Sequence, residues 1–244
     1  MNRAAGEREG VDNAALFALP SLQVAAHELK APLTLVRQLA QALEEEQLDT
    51  SQVQDFARKI GLTSERALRL TTDLTKTARL NDGLFELEPL DPLPLCADVI
   101  SEISPLYQAR NRQLRLARRQ RSVPLVVGHR DLLRRIMFNF ADNALHYAEA
   151  EQPVELSLIY RRQLDVIRLS IRDYGPGLAR DLRAHLRSQT QPVPMAYRPA
   201  SSGLGLYIAQ QFADVMGAKV GAVSHRDGAS FYVDMPRSAQ LGLW

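Results

Sequence analysis

The chain has 244 residues, 45% of them hydrophobic and 24% charged, and its formal net charge is +2. This length can hold two modest domains. The small net charge gives no reason to expect nucleic acid or an acidic membrane surface as a partner. Cys96 is the only cysteine, which excludes an intrachain disulfide and a multi-cysteine metal site. No apolar run approaches the roughly 18 residues needed to span a bilayer, so we expect no membrane segment in this chain.

The first third of the sequence predicts an antiparallel helical hairpin over residues 14–82, after a disordered leader at 1–13. Apolar residues recur there in alternating steps of four and three, which is a heptad seam. The seam positions are Leu22, Ala26, Leu29, Leu33, Val36, Ala40 and Leu43. A second helix is expected over about 51–80, with Gly83 as its C-terminal cap. Because each helix has one apolar face, we predict a homodimer in which two hairpins form a four-helix bundle.

After Gly83 the sequence predicts a second domain, residues 95–238, joined through a proline-rich hinge at 83–94. Predicted helices at about 95–110, 130–148 and 203–216 alternate with predicted strands at 85–90, 113–117, 125–128, 154–160, 166–172, 219–224 and 230–235. Residues 178–202 have little periodicity and are expected to form a long loop. Helices interleaved with mostly antiparallel strands indicate an α/β sandwich. The predicted fold class is therefore α+β, with two domains.

Two asparagines lie four residues apart on the predicted helix 130–148. Asn139 and Asn143 therefore share one helical face. Neutral amide oxygens placed in this way can complete the shell of a Mg²⁺ ion that is mainly held by phosphates and water. The alternative is a pair of polar residues on an exposed face. The apolar residues around them, such as Ile136 and Phe140, make that alternative weaker.

Two glycine-containing motifs follow in the second domain. Asp173-Tyr174-Gly175-Pro176-Gly177 comes directly after a predicted strand, where a carboxylate can accept from the exocyclic amine of adenine and glycines let the backbone approach a flat base. Ser201-Ser202-Gly203-Leu204-Gly205-Leu206 opens a predicted helix, whose free N–H groups and dipole favour an anion. A plain turn is the alternative for the first motif, and a flexible hinge with a helix cap for the second.

A fourth motif lies in the first predicted helix and contains a histidine. His27 directly follows the seam position Ala26, so it lies at the edge of the apolar stripe and can face solvent. Glu28 is its neighbour, and Pro32 lies about one turn later. By itself this pair of residues is weak support for any chemistry.

In this order the four motifs resemble those of the sensor histidine kinases of two-component signalling, and the resemblance extends over about residues 20–236. The matching segments are His27-Glu28-Leu29-Lys30-x-Pro32-Leu33 (H-box), Asn139-x-x-x-Asn143-Ala144 (N-box), Asp173-x-Gly175-x-Gly177 (first glycine box) and Gly203-Leu204-Gly205-Leu206 (second glycine box). The resemblance implies a dimerisation and phosphoacceptor hairpin followed by an ATP-binding domain of the type shared with gyrase and heat-shock chaperone ATPases. The single cysteine, which has apolar neighbours, fits a reducing setting, so we expect a cytoplasmic location, as a whole protein or as the cytoplasmic portion of a longer membrane-bound sensor.

The resemblance further implies ATP and Mg²⁺ as cofactors and a role for each matched residue. His27 would attack the γ-phosphorus of ATP, and Glu28 would act as a base or orient the imidazole. Asn143 would be a Mg²⁺ ligand, assisted by Asn139, and Asp173 would hold adenine. The other residues expected at the nucleotide are His146, Tyr147, Gly175, Gly177, Gly203, Leu204, Gly205 and Leu206.

Some positions depart from the family pattern. Ala31 stands where many members have Thr or Asn, a side chain that helps to orient water for dephosphorylation of the partner regulator, so we expect weak or absent phosphatase activity. His146 and Tyr147 stand where the family often has Lys-Tyr, near the phosphates and the base. Residues 178–202 lack the phenylalanine motif often seen in the lid loop.

We therefore expect an ATP-dependent protein-histidine kinase that passes phosphate from His27 to an aspartate in the receiver domain of a response regulator. One alternative is a pseudokinase, a dimeric interaction protein that binds nucleotide without transfer. Another is an ATP-binding protein kinase of the anti-sigma type. That class lacks a phosphoacceptor hairpin, so the heptad seam and His27 disfavour it.

Overall fold

The computed structural model describes residues 22–45, 48–80, 85–117, 123–147, 152–175, 177 and 204–240. The helices are α1 (Leu22–Glu45), α2 (Thr50–Ala78), α3 (Pro92–Gln108), α4 (Arg130–Tyr147) and α5 (Leu204–Val215). The strands are β1 (Glu88–Leu90), β2 (Leu114–Leu116), β3 (Val126–Gly128), β4 (Val154–Arg161), β5 (Val166–Asp173), β6 (Lys219–His225) and β7 (Gly228–Pro236). The predicted leader, the long loop at 178–202 and the cap at Gly83 lie outside the described residues.

Helices α1 and α2 pack against each other as a hairpin. The start of α2 is fixed by a reciprocal capping box. The Asp49 side chain accepts from the backbone N–H of Gln52 at 2.8 Å, and the Gln52 side chain accepts from the backbone N–H of Asp49 at 2.9 Å. This pairing satisfies backbone donors that would otherwise have no partner within the helix. Pro32 lies inside α1, as the sequence predicted.

The second domain is built on a five-stranded sheet in the order β2-β4-β5-β7-β6. β2 pairs with β4 in parallel, and the other neighbours are antiparallel. Strands β1 and β3 form a separate antiparallel pair. The prediction of a mostly antiparallel sheet with interleaved helices is confirmed.

Buried and partly exposed side chains alternate strictly along β5, so successive residues lie on opposite faces of the sheet. Ile167, Leu169 and Ile171 are fully buried toward the helices, whereas Arg168 and Arg172 lie on the opposite face. The buried set joins a continuous core with residues from α3, α4 and α5, whose largest buried side chains include Tyr107, Ile136, Phe140, Phe212 and Phe231. Cys96 of α3 is part of this core.

The described part of the predicted hinge has regular structure. β1 pairs with β3, and α3 begins at Pro92, earlier than the predicted start near residue 95. Asp91 caps this helix by accepting from the backbone N–H of Leu93 at 2.9 Å, and a proline in the first turn costs no hydrogen bond. Among the residues that the structure describes, no helix is long and apolar enough to cross a membrane.

Candidate nucleotide-binding site and phosphoacceptor

The site is built around α4, which is anchored in the core along most of its surface. Asn139 and Asn143 lie at the edge of this buried face and are half-buried. The Asn139 Nδ2 donates to the carbonyl oxygen of Gly205 at 3.3 Å. This bond joins α4 to the first turn of α5, so the structure brings the asparagine motif and the second glycine motif together.

Asp173 ends β5 and is completely buried. Its backbone lies opposite Ala229 of β7, beside a glycine that the packing requires. A Cβ added at Gly228 would lie 2.1 Å from the Asp173 carbonyl oxygen, and the φ of Gly228 is 141°, which L side chains rarely adopt. The backbone of Asp173 is therefore packed directly against Gly228 at the strand end.

The first glycine motif packs against the end of α4. A Cβ at Gly175 would lie only 2.2 Å from the carbonyl oxygen of Tyr147, so a side chain is excluded there. Gly177 has a φ of +74°, and its built Cβ would lie 3.3 Å from the Gly228 carbonyl oxygen. Both glycines are thus explained by backbone contacts within the chain, and they bring the Asp173 motif next to Tyr147.

The second glycine motif is described in part, because Gly203 lies outside the described residues. A Cβ at Gly205 would meet nothing within 4 Å, so no contact in the described part of the protein requires a glycine there. Leu204 and Leu206 are buried in the core and anchor the start of α5. Their predicted position beside a nucleotide stays a prediction.

His146 lies near the end of α4, three residues after Asn143, and its ring is 6.1 Å from the ring of Tyr147. The Arg66 Nη1 of α2 lies 3.4 Å from His146 Nε2. Since arginine can only donate, this contact is a hydrogen bond in the form of His146 whose Nε2 carries no proton. Partial burial lowers the pKa of His146, and the Arg66 guanidinium lowers it further, while Asp142 opposes them.

Two residues that contact the site, Tyr107 and Arg66, lie outside the four sequence motifs. Tyr107 of α3 is buried, and its hydroxyl donates to the carbonyl oxygen of Ala141 at 2.8 Å. This hydrogen bond joins α3 to α4. Burial raises the pKa of Tyr107, with Asp142 and Asp173 acting in the same direction. Arg66 reaches the site from a position 80 residues away in sequence from His146. No local pattern signals either contact, since both depend on how distant helices pack.

The predicted phosphoacceptor lies on α1. His27 is exposed and Glu28 is half-buried, as expected for residues at the edge of a heptad seam. Within the described residues, no hydrogen bond or ion pair joins His27 to the cluster formed by α4, β5 and α5. The structure therefore brings the nucleotide motifs to one another but does not bond His27 to them.

The donor set around Asn139 and Asn143 fits a magnesium ion. The Asn139 Nδ2 is engaged with Gly205, which leaves its Oδ1 as an acceptor. Amide oxygens are hard ligands of the kind that Mg²⁺ prefers. In the described ranges, no group of three or more His, Cys, Asp or Glu could hold a metal ion. Such an ion would therefore depend on phosphate and water for most of its ligands.

Comparison with known proteins agrees with this geometry. Residues 21–83 match the family model of the His Kinase A (phospho-acceptor) domain, and residues 128–239 match that of the histidine kinase-, DNA gyrase B- and HSP90-like ATPase. The adaptive-response sensory kinase SasA of Prochlorococcus marinus (strain MIT 9303) is 29% identical over 88% of this chain and 58% of its own length. The sensor protein SphS of Synechococcus elongatus is 33% identical over 88% of this chain and 54% of its own.

Solved structures give the same result. The crystal structure of full-length ShkA in complex with AMPPNP has a TM-score of 0.59 and 26% identity, covering 90% of this chain and 46% of that one. The Acinetobacter baumannii histidine kinase AdeS has a TM-score of 0.56 at 17% identity, over 88% of this chain and 98% of that one, which is a likeness of fold alone. The chain spans somewhat more than half the length of the curated relatives described above.

The fold and the site together define a phosphoacceptor helical hairpin followed by an ATPase domain of the gyrase and HSP90 type. These two domains occur here in the same order as the predicted motifs. The chain belongs to the sensor histidine kinase family. The resemblance drawn from the four sequence motifs is thereby confirmed.

Proposed function

We propose that this chain is an ATP-dependent protein-histidine kinase that phosphorylates His27 and passes the group to an aspartate in the receiver domain of a response regulator. The observation that carries the proposal is the convergence of the nucleotide motifs. Asn139 is hydrogen-bonded to Gly205, and Gly175 is packed on Tyr147, in a chain that also exposes His27 on a separate helix.

The residues have distinct tasks in this proposal. Asp173 accepts from the exocyclic amine of adenine, and the backbone at Gly175 and Gly177 lies along the base. Asn143, with Asn139, would hold Mg²⁺, which when bound neutralises charge on the phosphates. Phosphoryl transfer of this kind depends mainly on positioning and charge neutralisation.

His27 supplies the nucleophile. A neutral imidazole has a nitrogen lone pair near pH 7, and this nitrogen forms the new N–P bond while the bond from the γ-phosphorus to the bridging oxygen breaks and ADP leaves. Glu28 orients the ring or accepts the proton of its other nitrogen. The γ-phosphate has to reach this nitrogen, so the ATP-binding domain is proposed to move relative to α1. We place that motion at the proposed hinge, residues 83–94, between domains at 14–82 and 95–238.

A homodimer is part of the proposal. Large apolar side chains remain exposed on the hairpin: Leu33 is 58% exposed and Leu68 is 68% exposed. A second copy of the hairpin would cover such residues in a four-helix bundle. We also place the protein in the cytoplasm, where ATP and receiver domains are available.

The kinase assay uses γ-labelled ATP and Mg²⁺. We expect acid-labile, alkali-stable label on the native protein and none on His27→Ala, with nucleotide binding unchanged. His225→Ala, which removes a histidine from the outer strand β6, is the matched control and should keep the label. Nucleotide binding without label on the native protein would instead establish the pseudokinase alternative.

Phosphatase activity is expected to be weak, because the exposed Ala31 has no group that could position a water molecule. The test adds the unphosphorylated protein to its phosphorylated regulator and follows loss of phosphate. Rapid loss with the native protein, not increased by Ala31→Thr, would contradict this part of the proposal.

A further inference from the structure

Two arginines of β5, Arg168 and Arg172, lie on the face of the sheet opposite the helices. Each guanidinium forms an ion pair with an aspartate and lies over a tyrosine ring. Both arginine side chains are 18% exposed, so they are protected from water to the same extent. The two arginines differ in the segments of the chain that they connect, and only one of them contacts a nucleotide motif.

The contacts of Arg168 lie within the sheet. Arg168 is directly opposite Asp234 in the register of β5 and β7, and its Nε and Nη2 donate to the two oxygens of this carboxylate at 2.6 Å. Its guanidinium lies 3.5 Å from the centroid of the Tyr232 ring, which is also on β7. Arg168 therefore joins two strands that are already paired through their backbones.

The contacts of Arg172 join two connecting segments instead. The Arg172 Nη2 donates to Asp227 Oδ1 at 2.6 Å, and Asp227 lies in the turn between β6 and β7. The Arg172 guanidinium also lies 4.7 Å from the centroid of the Tyr174 ring. Tyr174 follows the end of β5 and lies between Asp173 and Gly175 in the first glycine motif. One side chain thus contacts both the turn and the glycine motif.

The backbones of these two segments are also packed together. A Cβ added at Gly228, the residue after Asp227, would lie 3.0 Å from the Tyr174 Cα, in addition to its contact with the Asp173 carbonyl oxygen. Because the segments pack so closely, the glycine motif can change its path only if the turn also shifts. The Arg172 contacts oppose such a shift, since they hold the turn and Tyr174 on the same guanidinium.

We propose that Arg172 is a positioning residue for the adenine end of the nucleotide site, because it holds the turn at Asp227 against Tyr174 and thereby fixes the backbone that carries Asp173. The inference rests on the proposed nucleotide site, in which the Asp173 carboxylate accepts from the exocyclic amine of adenine. Successive residues of a strand point to opposite faces, so Arg172 acts on the base through the backbone. Loss of its contacts should reduce recognition of the base more than recognition of the phosphates.

The test compares two non-hydrolysable nucleotides, AMPPNP and its guanine counterpart GMPPNP. Guanine has a carbonyl oxygen at the ring position of the adenine amine, so the native protein should bind AMPPNP more tightly. Arg172→Ala should weaken AMPPNP binding by about 5-fold or more and GMPPNP binding less, so that the selectivity for adenine falls. Titration calorimetry measures both dissociation constants.

Arg168→Ala is the matched control. It removes an ion pair and an arginine–tyrosine contact of the same kind from the same strand, and it should leave both dissociation constants unchanged. Asp227→Ala removes only the ion pair, at a side chain that is 64% exposed, and should weaken AMPPNP binding less than Arg172→Ala does. In Arg172→Ala chains, the same Asp227 substitution should cause no further loss of affinity.

Three results would overturn the positioning role. One is native affinity and native selectivity in Arg172→Ala. Another is an equal loss of AMPPNP affinity in Arg168→Ala, because both losses would then reflect the stability of the sheet alone. If urea unfolding shows that Arg172→Ala does not fold, native AMPPNP affinity in Asp227→Ala is the third.

These results are distinct from failure of the kinase proposal. Native protein that binds AMPPNP but acquires no label on His27 would overturn the kinase and leave the role of Arg172 in place. Native protein that does not bind AMPPNP would overturn the nucleotide site, and the role of Arg172 with it.

Discussion

The two domains differ in how completely they bury their apolar side chains. In the ATP-binding domain Phe140, Phe212 and Phe231 are at most 1% exposed. In the described part of the hairpin, by contrast, the buried hydrophobic residues are only Ala25 and Ala67, while Leu33 and Leu68 are 58% and 68% exposed. Full burial of such a side chain stabilises a fold by about 1.5–3 kcal/mol. The ATP-binding domain therefore closes its own core, while the hairpin has an apolar surface still available to a second copy.

A substitution in the buried core of the ATP-binding domain should have the largest effect on the free energy of unfolding. Phe212→Ala removes a fully buried ring and should lower the free energy of unfolding by about 3–5 kcal/mol. Urea unfolding measures this change. Ile159→Ala, at a side chain that is 45% exposed, is the control and should change it by less than about 0.5 kcal/mol. Equal effects at both positions would show that the core is not where the stability resides.

The exposed hairpin face should respond through association instead. Leu33→Asp places a charge in the proposed seam of the four-helix bundle and should weaken dimerisation by about 10-fold or more. Sedimentation at several concentrations measures the dimer Kd. Gln38→Asp, which adds the same charge at an exposed polar position, should leave the dimer intact. A monomeric native protein would contradict the proposed role of this surface.

A glycine in each domain tests the contrast between tight and open packing. Gly175→Ala should destabilise the ATP-binding domain by about 1–3 kcal/mol and impair nucleotide binding, because its Cβ would meet the Tyr147 carbonyl oxygen. Gly61→Ala in α2 has nothing within 4 Å and should stabilise the helix by up to about 1 kcal/mol. Thermal unfolding and AMPPNP binding separate the two outcomes.

The weakest effect should be a shift in titration where the domains meet. Burial, then Arg66 and Arg110, lower the pKa of His146 against the opposing Asp142. While Arg66 contacts His146, the ring binds fewer protons than it does once the contact is broken. The contribution of this contact to stability is therefore present above the ordinary histidine pKa and is lost as pH falls through the lowered value. In Arg66→Ala the His146 midpoint, followed by NMR, should rise. An unchanged midpoint would mean that Arg66 does not act on this ring.

Local patterns were sufficient to predict much of the fold. The alternation of β5 places Asp173 at a strand end, and the spacing of Asn139 and Asn143 gives one face of α4. The start of α3 was predicted too late, because the prolines at 92 and 94 were interpreted as a hinge. Asp91 as a cap with Pro92 in the first turn is a helix-start signal that explains the difference.

Contacts between distant segments could not be predicted in the same way. The spacing of Gly175 and Gly177 indicates a close backbone approach, but nothing in the sequence identifies Tyr147 as the partner of Gly175. Arg66 is an ordinary surface arginine by its local pattern, and its contact with His146 depends on how α2 lies against α4. Such pairings follow from tertiary packing, which the periodicity of a single element does not encode.

The buried thiol of Cys96 gives the ATP-binding domain a built-in reporter of its opening. Burial, with a smaller contribution from Asp91, raises the pKa of this thiol, and the thiolate is the form that reacts. Alkylating reagents should therefore reach it only when α3 separates from the rest of the core. The rate at which Cys96 is alkylated then measures how often that separation occurs in the native protein.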